Sequence, residues 1–272
     1  METDFKRPSK KNFSAKRLDR QRNWITVNHS FAKLFITGLL MLVVEASMAT
    51  ASDQIFSVTT KIFVGEEGDP VSEHQILFDQ GLVYDVPVIS RRFITIFDPA
   101  QKRVTLLDRD TQVQASVSTD DLIKITAQAR AAVVDDEQKK KLGLQAEVVR
   151  TEQDKGYAIK FANLEYRTTT QRPGSPKVAA DYAMFVDLAS RLNLVRRLGP
   201  PPFGRMSLHQ KIAANGELPL ELTLTITGSK QSEQFRSTHS LGEVADSERQ
   251  TINEVRGYMA LYRQVELKAF PK

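Results

Sequence analysis

Apolar and polar residues alternate where the chain's first strand-like segment begins. Phe56, Val58, Ile62 and Val64 share one face, the period-two pattern of a half-buried strand. Glu66-Glu67-Gly68-Asp69-Pro70 then interrupts it with turn chemistry. Val71–Phe78 and Leu82–Val88 are two further strand-like runs around Asp79-Gln80-Gly81, where glycine supplies the positive φ of a compact hairpin. Phe93–Phe97 and Val104–Leu107 repeat the arrangement around Asp98-Pro99-Ala100-Gln101, with proline presetting φ for the turn. Asp108-Arg109-Asp110 leads into Thr111–Val117. Short strands joined by tight turns predict an antiparallel meander.

The period then changes. Leu122, Ile125, Ala129 and Val133 recur at helical spacing. Ser118 or Thr119 stands where an N-cap is needed, Asp120 and Asp121 complement the dipole, and Lys139–Lys141 with Gly143 supply the stop. One helix is predicted across that span. A hairpin follows, Ala146–Thr151 with Tyr157–Ala162, continued by Leu164–Thr169. Residues 170–177 read as an exposed loop and a candidate subdomain break. A second helix is predicted over Val178–Val195, with Tyr182, Phe185, Ala189 and Leu192 on one face, stopped at Gly199-Pro200-Pro201-Pro202. A short helix near Ser207–Ala214, a strand pair (Leu218–Ile226 and Gln234–Leu241) and a final helix complete the pattern. That final helix carries Ile252, Val255, Met259 and Tyr262, and Ser247 with Gln250 suggests its capping box. The predicted class is α+β: an antiparallel β-meander, as a curved sheet or half-barrel, packed with three or four helices.

Ahead of the first strand the pattern is of another kind. A basic segment runs to Lys33, an uninterrupted apolar run covers Leu34–Val44, and small residues follow from Ala46 to Ala51. That is the layout of a secretory signal with a long basic n-region. As a helix the run reaches roughly 16 Å, against a hydrocarbon core of about 30 Å. Removal therefore fits better than spanning. The expected cut follows Ala51, with Ala49 as second choice, which leaves residues 52–272 as an exported domain. The alternative is an inner-membrane anchor through residues 31–44 with 52–272 outside.

Charge changes meaning once this leader is set apart. Residues 1–51 hold nine Lys/Arg and four Asp/Glu, a net +5 equal to that of the whole chain. The rest keeps 29 of the 38 basic and 29 of the 33 acidic residues. A neutral body does not argue for a nucleic-acid partner. The absence of cysteine excludes disulfides, thiolate metal sites and Cys nucleophiles. A bacterial periplasmic or secreted protein is the location these features imply.

Candidate chemistry is sparse. His29 lies in the leader, and His74, His209 and His239 fall in separate elements without metal-ligand spacing. Asp79, Asp98, Asp108 and Asp110 each follow a strand and open a turn, which reads as backbone bonding rather than paired-carboxylate catalysis. Lys139–Lys141 and Arg196-Arg197 read as solvated helix ends. Arg91-Arg92 reads as the blunted start of an edge strand. No phosphate-binding, dinucleotide or nucleophile-elbow motif is present. No catalytic, cofactor-binding or metal-ligating residue is assigned.

The meander carrying Gly81-Leu82-Val83-Tyr84-Asp85 and Ile94-Thr95-Ile96-Phe97-Asp98 resembles the periplasmic lipoprotein-carrier half-barrels over residues 54–118. Block 216–270 is similar to uncharacterised bacterial secreted proteins. The later helices and the Gly199–Pro202 break depart from a simple half-barrel order. A carrier would imply a hydrophobic cargo groove. The expected function is an exported envelope protein that binds a hydrophobic ligand or a protein partner, with transient contact to the secretion machinery. A structural or assembly factor acting through surfaces alone is the alternative, and a hydrolase with a composite site a further one. A deep apolar cavity under the sheet would mark a carrier.

Overall fold

A computed structural model describes residues 55–65, 68–152, 155–228 and 231–271. Leu34–Val44, Ala49 and Ala51 lie outside them. In chain order the elements are β1 (Phe56–Val64), β2 (Ser72–Asp79), β3 (Leu82–Pro87), β4 (Phe93–Asp98), β5 (Arg103–Asp108) and β6 (Val113–Ser118). Then come α1 (Thr119–Ala131), α2 (Asp136–Lys141), β7 (Val148–Thr151), β8 (Gly156–Phe161) and β9 (Leu164–Gln171). The last third holds α3 (Pro176–Arg196), α4 (Phe203–Ala214), β10 (Leu218–Thr227), β11 (Ser232–Gly242), α5 (Asp246–Leu261) and β12 (Arg263–Gln264). The strands form one curved sheet in the order β12-β6-β5-β4-β3-β2-β1-β11-β10-β9-β8-β7. Every pairing is antiparallel except β12 with β6. The fold is α+β as the periodicity predicts, with five α-helices among the described residues rather than three or four.

The turns form for local reasons. Gln80 and Gly81 both have positive φ, 52° and 77°, the backbone of the two-residue hairpin turn whose twist matches its strands. Asp98 accepts a hydrogen bond from the Gln101 N–H at 3.0 Å. Asp108, fully buried, accepts from the Asp110 N–H and the Thr111 hydroxyl. Both aspartates therefore act as turn-formers.

One face of the sheet packs against α3. There Phe56, Val58, Ile76, Phe78, Phe97 and Val104 meet Tyr182, Phe185 and Leu192. Farther along the same face α4 places Leu208 and Ile212 on Tyr157, Ile159, Phe161 and Tyr166. This is the inner face. On the outer face α5 covers only one arm, with Ile252 and Val255 against Leu77, Tyr84, Ile94, Ile96 and Leu107. Arg256 fastens α5 to the sheet, donating to Tyr84 Oη at 3.0 Å and Asp79 Oδ2 at 2.7 Å.

Several local expectations change. The single helix expected through Lys141 is two, because Asp135 accepts from the Gln138 N–H at 2.9 Å and starts α2 afresh. Two β-branched residues, Val133 and Val134, precede that break and weaken helix continuation. In α1 the buried positions are Thr119, Leu122 and Thr126, while Ile125 faces solvent. Helix α4 begins at Phe203, directly after the prolines. Helix α5 is capped at Ala245, whose N–H is bound by Glu248 at 2.8 Å, so Ser247 and Gln250 form no capping box. Arg91 and Arg92 precede a central strand, since β4 pairs with both β3 and β5.

Candidate functional site

Helices α1, α3 and α4 leave a groove of about 680 Å³ between them. The space exists because small residues face it: Ala127 and Ala131 from α1, Ala183 from α3 and Ala213 from α4. Met184, Met206, Val186 and Phe203 add apolar wall. Methionine is adaptable lining, since its unbranched thioether takes up irregular shapes.

Several polar groups along the groove are bonded within their own helices. Thr126 donates to the Leu122 carbonyl at 2.6 Å, and Ser207 to the Phe203 carbonyl at 3.2 Å. Arg191 makes a bidentate pair with Asp187 at 2.7 and 3.0 Å. Burial, and then the nearby Arg205 charge, hold the His209 imidazole well below its usual pKa, so it is neutral. Arg130, its guanidinium carbon 5.9 Å from the centre of the Phe203 ring, takes part in no ion pair among the described residues. The groove is thus mainly apolar, and Arg130 is its cation without an ion-pair partner among the described residues.

Between α3 and the sheet, where a deep cavity would mark a carrier, aromatic side chains pack together. Phe185 meets Phe97 edge-on at 5.2 Å and Phe78 at 6.2 Å. Where the two arms of the sheet join, the inner face carries a buried polar band. His239 Nδ1 lies 3.0 Å from Tyr182 Oη and 3.1 Å from Thr60 Oγ1. Its Nε2 lies 3.2 Å from Ser237 Oγ. Burial, with the Arg205 charge adding to it, pushes the His239 pKa down to about 3. Burial pushes Tyr182 up to about 12. The Ser237 hydroxyl donates to the Leu222 carbonyl at 3.3 Å, and neither Ser237 nor His239 lines the groove. This buried Ser–His pair links β11 to β1, β10 and α3.

His74 sits on the same inner face and binds Asp85 at 2.6 Å. Burial alone would lower its pKa, but the Asp85 hydrogen bond and charge outweigh that and raise it. Of the histidines expected to be scattered, the structure brings His209 and His239 close enough for one to feel the other's charge, whereas only His209 reaches the groove. The four aspartates do not converge on a cleft. Asp79 binds Arg256, Asp98 and Asp108 serve turns, and Asp110 pairs with Arg92 at 3.3 Å. Lys139 and Lys140 pair within α2, with Asp136 and Glu137, as a solvated helix end does. No cluster of three or more His, Asp or Glu that could hold a metal occurs among the described residues. The groove itself was missed because its walls come from three separate helices. Its only trace in the sequence is the alanines and methionines on helix faces that otherwise read as core.

No known protein-family model matches the chain, and comparison with curated proteins finds no similar sequence.

Proposed function

We propose that this chain is an exported envelope protein that binds a hydrophobic ligand in the α1/α3/α4 groove. The observation that carries the reading is an open, mainly apolar groove of about 680 Å³ in which Thr126, Ser207, Asp187 and Arg191 are bonded within their own helices. Its size falls in the range of about 300–1,000 Å³ typical of small-molecule sites. The curved sheet, with α3 and α4 on its inner face, is read as an open half-barrel, and the ligand then lies between the helices rather than between helices and sheet. Export rests on the leader pattern of residues 1–51, which lie outside the described residues. No helix of the described residues is long and apolar enough to cross a membrane.

Native mass spectrometry of protein purified from its own host tests the binding. The expected result is a retained mass of lipid or similar apolar character, lost in Ala183→Trp, which fills the groove, with little change in thermal unfolding. Recovery of wild-type protein with no bound small molecule overturns the carrier reading and leaves a surface-acting factor. N-terminal sequencing of the fractionated protein is expected to begin at Ser52. Met1-initiated protein free in the cytosol overturns the export reading.

A further inference from the structure

We propose that one end of the sheet docks on an anionic phospholipid surface. Beside the β1 to β2 connection, three others meet the solvent at this end: β3 to β4, β5 to β6, and α3 to α4. The β3–β4 and α3–α4 connections each raise one aliphatic residue into solvent, Ile89 at 53% and Leu198 at 50% exposure. Five arginines lie in or beside these three connections: Arg91, Arg92, Arg109, Arg196 and Arg197.

These arginines are a spatial cluster. Arg109 donates to the Arg91 carbonyl at 3.4 Å. Arg92 and Arg196 share the Phe93 ring, with guanidinium carbons 4.5 and 5.6 Å from its centre. Arg196 also faces Phe270 at 5.8 Å. Acidic compensation is concentrated on one member, since Asp108 and Asp110 both bind Arg92. Arg91, Arg109, Arg196 and Arg197 take part in no ion pair among the described residues, while Glu73, on the neighbouring start of β2, pairs with Lys61.

The presentation of Leu198 is built into the backbone. Arg197 closes α3 in the left-handed region at φ 57°, and the Leu198 N–H returns to the Asn193 carbonyl at 2.9 Å. Gly199 and three prolines follow, which offer few backbone donors and restrict the turn. An aliphatic tip held between guanidinium groups suits the headgroup layer of a bilayer. The tip enters the acyl boundary while arginine binds phosphate in bidentate fashion. Docking of this kind needs no pocket and does not depend on the groove being filled.

The natural lack of cysteine makes the test direct. Leu198→Cys and, as a control, Gln101→Cys on the exposed β4–β5 turn at the sheet's other end are labelled in the full chain with an environment-sensitive fluorophore. Each is mixed with phosphatidylcholine vesicles, with and without phosphatidylglycerol. The label at 198 is expected to shift to the blue and brighten severalfold on phosphatidylglycerol vesicles at low salt, and to lose that response at high salt. The label at 101 is expected to stay unchanged. Adding Arg91→Gln and Arg197→Gln should weaken vesicle binding by roughly 10- to 30-fold. Equal responses at 198 and 101 would show association through another part of the chain and overturn the proposal. So would equal responses to neutral and anionic vesicles. A 198 label silent on vesicles but responsive to polyglutamate overturns it in favour of an acidic polypeptide partner.

Discussion

Strands β2–β5 and strands β9–β11 belong to one antiparallel sheet, yet they solve burial differently. The first arm is covered on both faces, by α3 within and α5 without. Its strands are apolar at consecutive positions: Ile76-Leu77-Phe78, Ile96-Phe97 and Leu106-Leu107 are all buried. The second arm is covered on the inner face alone. Leu222, Leu224 and Ile226 of β10 point to α4's side, while Thr223 and Thr225 pair across the outer face with Arg236, Arg167, Gln234 and Glu165. Apolar runs of this kind mark a strand buried on both faces, and strict alternation marks one that is solvated on one side. The difference between the arms is therefore set by where α5 lies, and the strand sequences are matched to it.

The largest expected effect breaks the doubly covered arm. Leu107→Ala removes a side chain with no solvent exposure between β5 and α5. It should lower unfolding free energy by about 2–5 kcal/mol in urea titration. Thr225→Ala, on the open outer face of the other arm, should change it by no more than about 0.5 kcal/mol. Equal losses would mean that the outer faces of the two arms are alike.

Two glycines sharpen the comparison next. A Cβ at Gly204 of α4 would lie 2.1 Å from the Phe161 ring, whereas one at Gly257 of α5 meets nothing within 4 Å. Gly204→Ala should destabilise by roughly 1–3 kcal/mol through overpacking. Gly257→Ala should stabilise by about 0.5–1 kcal/mol, the ordinary helix preference for alanine. Thermal melts of the two variants should move in opposite directions.

The junction between the arms offers a smaller, pH-dependent effect. His239 titrates near 6.5 when unfolded and near 3 when folded. The unfolded chain therefore binds the extra proton between those values. The contribution is complete above about pH 6.5 and is lost as pH falls toward 3, by roughly 1 kcal/mol per pH unit. His239→Gln should flatten the fall in urea midpoint between neutral pH and pH 5 relative to wild type. An unchanged slope would mean that the imidazole is not the group taking up the proton.

Much of the sheet was legible in the sequence because its instructions are local. The Gln80-Gly81 turn, the Asp98–Gln101 turn and the Leu218–Ile226 alternation each lie within a few residues. Helix α3 was legible for the same reason, with Tyr182, Phe185 and Leu192 on one face between Ser175 and the prolines. What escaped depends on distant partners. Ile125 fits a helical stripe, yet α1 turns Leu122 and Thr126 inward, a choice made by α3. The groove needs α1 and α4, about 70 residues apart in sequence, to flank α3. The arginine end needs Phe93 and Phe270 to bring Arg92 and Arg196 together. Arg196 looked like a helix-end charge because its aromatic neighbours cannot be read from its own surroundings.

Strand β1 sits at the middle of the sheet, and its two neighbours arrive at very different times. β2 follows within a few residues, but β11 pairs Gly242 with Ser57 and Phe235 with Val64. Loop closure over such a separation slows folding relative to local pairing. Until the final third of the chain is available, Phe56–Val64 presents an unsatisfied edge to any other extended polypeptide. The strand at the centre of the sheet is thus one whose second neighbour comes from the chain's final third.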